Sequence, residues 1–159
     1  MIPSTLEKIT PIRSSKILHK SSVIHPQARF VTEEAVCLIF GISFADIYTV
    51  ECWRYVVYVH AKGVSKFVSY ADFPPIVDVG APTYQDRVKW RKRWRKTPKN
   101  QEKRYAPQWW AEFFTLQFQN AGSEYELQQW RQLLVSVNFA FSPLTLQQLQ
   151  VVGNEEFRI

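Results

Sequence analysis

Only two cysteines occur in the 159 residues, Cys37 and Cys52, each inside an apolar stretch. That is the pattern of buried free thiols in a reduced compartment. No C-x-x-C pair accompanies them, and His19, His25 and His60 are scattered, so no zinc site is expected. Glycine is equally scarce, with five residues, and Gly41, Gly63, Gly122 and Gly153 stand where helices end or chains turn. There is no Gly-rich phosphate loop, no G-x-S-x-G elbow and no H-E-x-x-H. The acidic pairs Glu33-Glu34 and Glu155-Glu156 are adjacent, and adjacent residues do not share a helix face. The usual signatures of catalysis are therefore missing, and a non-enzymatic protein without metal or cofactor is expected. No run approaches the about 18 apolar residues of a membrane span, and MIPSTLEKITPIRSSK has no apolar signal core. A cytoplasmic protein without a membrane partner is the expectation.

The chain is instead rich in apolar and aromatic residues, 46% and 15%, which excludes a disordered composition. Its cations are concentrated in one place. Between Asp86 and Arg104 stand Arg87, Lys89, Arg91, Lys92, Arg93, Arg95, Lys96, Lys99, Lys103 and Arg104, opposed only by Asp86 and Glu102. Ten cations less two anions leave +8 in this stretch, against +6 for the whole chain, so the rest of the sequence sums to −2. Such a focus is the electrostatic footprint of a nucleic-acid contact.

In chain order, residues 1–29 read as a basic extended arm, with Pro3, Pro11 and Pro26, tied down where Ile9, Ile12, Ile17 and Leu18 find a partner. Thr32 to Phe40 has the marks of a helix: Thr32 as N-cap, Glu33 and Glu34 in the first turn, Gly41 at the end. Ser43 can cap a shorter helical piece from Phe44 to about Thr49. Phe30-Val31-Thr32-Glu33-Glu34-Ala35 followed by Phe40-Gly41-Ile42-Ser43 resembles the opening of the MerR and excisionase type of helix-turn-helix. In that family a recognition helix follows, which the resemblance implies here, although β-formers take over after Asp46 and Ile47. Trp53 to His60 reads as a strand and Val64 to Tyr70 as its return, turning at Ala61-Lys62-Gly63. Helix, short helix and hairpin would make a winged unit with Lys62 and Lys66 near the wing tip. An ordinary small α/β layer accounts for the same pattern.

Pro74-Pro75 closes this unit, 76–82 reads as a linker, and helical signals follow. At about 100° per residue, Trp90 and Trp94 lie roughly 40° apart on one face of a basic helix over 84–97, and cations cover the rest. Gln108 to Asn120 is apolar nearly all round, through Trp109, Trp110, Phe113 and Phe114. The next stripe is Leu127, Trp130, Leu134, Val137 and Phe141, opened by Ser123 with Glu126 as a capping box, and a last helix starts at Ser142-Pro143.

The expected fold is α+β: a helix-turn-helix-like unit with a β-hairpin over 30–76, then a helical region over 83–152. The leading expectation is a nucleic-acid-binding regulatory protein, DNA more than RNA, holding phosphates through the ten cations above with help from Lys62 and Lys66. Trp90 and Trp94 serve either as stacking platforms for bases or as packing for the following helices. The alternative is an adaptor or structural subunit, whose basic helix meets an acidic partner and whose Trp109, Trp110, Phe113 and Phe114 form a homodimer or complex interface. A core made of the same four aromatics is the other account of them.

Overall fold

The computed structural model describes residues 15–155. Residues 1–14, with Ile9 and Ile12 of the expected arm, lie outside the described residues, as do 156–159. Among the described residues there are five α-helices and one four-stranded sheet, so the fold is mixed α+β.

The helices begin where capping chemistry starts them. Thr32 accepts from the Ala35 N–H and opens α1 (Glu33–Phe40), which Gly41 closes with a left-handed φ of 65°. Thr83 and Asp86 cap each other reciprocally at the start of α2 (Tyr84–Lys96). Pro107 precedes α3 (Gln108–Asn120), and Ser123 accepts from the Glu126 N–H to open α4 (Glu124–Ser136). The Glu126 carboxylate reaches back to the Gly122 N–H at 2.7 Å, so the capping box is completed one residue early. The last helix, α5 (Pro143–Glu155), runs through Gly153 instead of ending there. Gly153 packs closely there: a Cβ would stand 3.2 Å from the Phe118 ring of α3, which would have to shift by a few tenths of an ångström.

The sheet departs from the sequence reading. The short helical piece expected from Phe44 to about Thr49, where the resemblance implies a recognition helix, is cut to a single 3-10 turn, Phe44–Asp46, that runs directly into strand β2 (Ile47–Cys52). Ile47 is 1% exposed and Val50 is fully buried, so burial of these β-branched side chains on a sheet decides against a helix. The expected strand Trp53–His60 is shorter, because its first residues form a loop in which Trp53, Arg54 and Tyr55 are exposed. Cys52 pairs with Val57 across a short loop, closed by Trp53 N–H donating to the Val56 carbonyl, and only β3 (Val57–Ala61) remains. β4 (Val64–Val68) returns antiparallel after a turn in which Gly63 has φ 75°. This hairpin is half of the sheet, not a wing appended to a helix pair.

The described part of the expected arm is folded. Ile17–His19 forms β1, parallel to β2, giving the order β1-β2-β3-β4. A 3-10 turn at Pro26–Phe30 buries Gln27, Ala28 and Phe30. The expected linker over 76–82 is also held down: Arg29 donates to the Gly80 and Ala81 carbonyls, and the Pro74 and Pro75 before it are buried.

The inner sheet face (Val50, Cys52, Val57, Val59, Val68) shares one core with α1 and with three of the four Trp of α2 and α3, Trp90, Trp94 and Trp110. Trp90 and Trp94 stand edge-on to Trp110, with ring centroids 5.1 and 5.3 Å away and planes near perpendicular. Trp110 is fully buried, and its indole N–H reaches the Asp72 carbonyl at 3.2 Å. Trp110→Ala should destabilise the fold by about 3–5 kcal/mol. Trp109→Phe, which removes one hydrogen bond at a half-buried site, should cost about 1 kcal/mol. Urea unfolding followed by circular dichroism would check both.

A candidate phosphate-binding face on α2

Three constraints fix how α2 sits. Trp90 and Trp94 point into the core and are fully buried. Asp86, on the same side, takes a hydrogen bond of 2.6 Å from Arg29. Arg93 grips Asp72 with two bonds, Nε to Oδ1 at 2.8 Å and Nη2 to Oδ2 at 3.3 Å. Of the ten cations between 86 and 104, Arg93 is the one in an ion pair among the described residues.

The other cations of α2 divide between two flanks. Arg87 and Arg91 lie toward Phe139, over whose ring the Arg91 guanidinium sits 4.5 Å from the centroid, and Arg87 reaches the Ser136 carbonyl at 3.4 Å. Arg95, one turn beyond Arg91, is exposed on that side. Lys89, Lys92 and Lys96 are exposed on the opposite flank. Lys99, Lys103 and Arg104 continue the basic surface past the helix, on a segment pinned by the buried Asn100, whose amide donates to the Tyr105 carbonyl at 3.0 Å.

The lysine flank borders a cleft of about 280 Å³. Lys89, Lys92, Arg93 and Lys96 form one wall. The other comes from residues distant in sequence: His25 and Gln27, Tyr55, and Ser69 with Tyr70. His25 stacks on Tyr70, ring centroids 4.1 Å apart, and its Nδ1 accepts from the Gln27 N–H at 3.0 Å. That fixes Nε2 as the donor nitrogen of the neutral ring. Burial and then the charge of Lys89 lower the His25 pKa, outweighing Asp86, so the ring is neutral at pH 7. Gln27 is 1% exposed, and neither its amide nitrogen nor its oxygen has a hydrogen-bond partner among the described residues.

The remaining expected site residues lie elsewhere. Lys62 occupies the β3–β4 turn, at the end of β4 away from the 70–72 turn that meets α2, about 16 Å along the strand at 3.3 Å per residue. Lys66 lies between them on the edge strand, so the hairpin tip does not join the α2 cluster. The four expected interface aromatics do not form a surface. Trp110, Phe113 and Phe114 are at most 1% exposed and Trp109 is half-buried, its indole bonded to the Asp72 carbonyl at 2.8 Å. Trp90 and Trp94 are likewise core residues and offer no stacking platform. Exposed aromatics lie instead on the outer sheet face, where Tyr48 meets His60 and Tyr58 meets Phe67. Sequence reasoning missed His25, Gln27, Tyr55 and Ser69, whose only signal is their meeting in space.

Among the described residues no cluster of His, Cys, Asp or Glu could hold a metal ion, and no helix is long and apolar enough to cross a membrane. No protein-family model, curated protein or solved structure matches the chain.

Two substitutions probe this framework. Gln27→Met keeps the volume and removes two unpartnered buried polar groups, so it should stabilise the protein by about 1–3 kcal/mol in thermal or urea unfolding. Burial works to raise the Asp86 carboxyl, but the bonds from Arg29 and the Thr83 N–H together outweigh it and hold the group below its ordinary 3.8. A depressed carboxylate contributes stability above its unfolded value and loses it as pH falls through the folded one. Asp86→Asn should therefore cost about 1–3 kcal/mol at pH 7, and the gap to the parent should close below about pH 3.8, read from urea midpoints across the acid range.

Proposed function

We propose that the protein binds nucleic acid by its phosphate backbone, through the outward face of α2. The observation that carries this is a set of five exposed cations (Lys89, Arg91, Lys92, Arg95, Lys96) with no acid interleaved and no ion pair among the described residues. Like charges one turn apart, such as Arg91 with Arg95 and Lys92 with Lys96, each destabilise a helix by about 0.2–0.5 kcal/mol. Arg95 and Lys96 complement the end of the helix dipole and Arg91 rests on Phe139, but Lys89 and Lys92 bring the fold no such gain, and a polyanion would neutralise the whole set with release of counterions. Phosphate contacts position a protein without reading sequence. With no recognition helix after α1, the reason for preferring DNA over RNA falls away, and the reading is of backbone binding to either.

An adaptor role finds its surface on the outer sheet face, where Phe67 is 69% and Tyr48 54% exposed, rather than on the buried aromatics of α3. Salt separates the two readings. Affinity for random duplex and single-stranded oligonucleotides should fall log-linearly with salt. In the quadruple variant Arg91→Gln, Lys92→Gln, Arg95→Gln, Lys96→Gln the duplex slope should shrink by about 0.9 for each phosphate that is no longer neutralised, or roughly 3.6 if all four side chains engage one. The variant should stay folded, because none of the four side chains is in an ion pair among the described residues, and the loss of two like-charge pairs offsets part of the helix-dipole and Phe139-ring contacts removed with them. Absence of binding by the parent protein at low salt would sink the proposal.

A further inference from the structure

The cleft beside α2 is more than a continuation of the basic ridge. Three lysines, Lys89, Lys92 and Lys96, border a concave space of about 280 Å³, and no carboxylate lines it. The fourth cation, Arg93, is already neutralised by Asp72. A concave surface of one sign focuses potential more than a convex ridge does. The facing wall is neutral but carries hydrogen-bonding groups, the His25 ring with its Nε2 donor and the Tyr55 and Ser69 hydroxyls, with the unpartnered Gln27 amide buried behind it.

The charge and the size select the ligand. An internal phosphodiester carries one negative charge, whereas a phosphate monoester carries about −1.5 to −2 at pH 7 and offers three strong acceptor oxygens. Three lysines lining one cleft match the second better. The volume lies below the roughly 300–1,000 Å³ of sites for drug-sized ligands, so it suits a phosphate with the group attached to it rather than a run of nucleotides.

We infer that this cleft is a phosphate-monoester site, built by the lysine flank of α2 against the His25–Gln27 and Ser69–Tyr70 turns. Resting on the nucleic-acid reading above, the monoester is the terminal phosphate of a strand whose backbone follows the outer ridge. A free phosphorylated metabolite carries the same chemistry.

The test uses the full chain and single-stranded oligonucleotides of one sequence bearing a 5′-phosphate, a 3′-phosphate or hydroxyl ends. Inorganic phosphate is tested alongside, against chloride at matched ionic strength. The expected result is at least fivefold tighter binding of one phosphorylated oligonucleotide than of the hydroxyl form, with inorganic phosphate competing away the difference and raising Tm. Lys89→Gln with Lys96→Gln should erase both effects. Arg91→Gln with Arg95→Gln should weaken all the oligonucleotides alike and leave the preference intact. Equal, salt-sensitive binding of every oligonucleotide, with no Tm response to phosphate, would overturn the cleft and leave the backbone reading standing. A Tm response that depends on the two lysines, without binding of any oligonucleotide, would keep the cleft, remove the backbone reading and point to a small phosphorylated molecule. A phosphate preference that survives loss of Lys89 and Lys96 also overturns the site as drawn.

Discussion

The fold depends on the turn at Asp72. Its carbonyl accepts both indole N–H groups of Trp109 and Trp110, and its carboxylate accepts the Ser69 N–H and two bonds from Arg93. At 5% exposure an unpaired carboxylate would be costly, and Arg93 supplies both the opposite charge and the matching fork. One residue thus joins the end of the sheet to α2 and to α3. It also sets the rotation of α2 about its axis. A slip of one residue, about 100°, would carry Arg93 away from Asp72 and bring the flanking cations toward the core. The outward direction of the lysines and arginines follows from that pairing.

Part of the basic pattern has a structural use. Arg93, Arg95 and Lys96 occupy the last turn of α2, where cations interact favourably with the helix dipole by about 0.3–1 kcal/mol each at low salt. That effect fades beyond the last turn and leaves Lys89, Arg91 and Lys92 without a helical reason. The chain does pair charges, as in Arg29 with Asp86 of α2 itself and Arg131 with Glu124 of α4. The surplus on α2 is local, and no acid of a neighbouring element has been placed to meet it among the described residues.

What the sequence discloses divides by range. Local chemistry was legible: the Thr32 cap and Gly41 stop of α1, the start of α2, the full extent of α3 and the Leu127–Trp130–Leu134 stripe of α4 all follow from short spacings. Partners distant in sequence were not. Ser43 offers a cap for Phe44–Thr49, yet Ile47 and Val50 are buried in a sheet that also takes in Ile17–His19 as a parallel strand, which no pattern in either segment announces. Likewise, the aromatic richness of α3 reads equally as interface or as core until Asp72 and the Trp of α2 are brought against it. The basic ridge was visible because charge density is local. The cleft was not, because one wall comes from residues 25–27, 55 and 69–70, up to 71 positions from Lys96.

The two flanks of α2 differ in the freedom of their cations, and this bears on what each can hold. Arg91 lies over the Phe139 ring and Arg87 reaches a carbonyl, so these guanidiniums are held before any ligand arrives. A pre-placed arginine loses less entropy on meeting a phosphate than a free lysine does. The lysines opposite keep flexible stems and three rotatable donors each, which suits closing around a compact anion whose orientation is not fixed in advance. On the reading proposed above, an ordered arginine ridge beside an adaptable lysine cleft, on one helix locked by Asp72, would give a strand a track and its end a socket without requiring any sequence to be read.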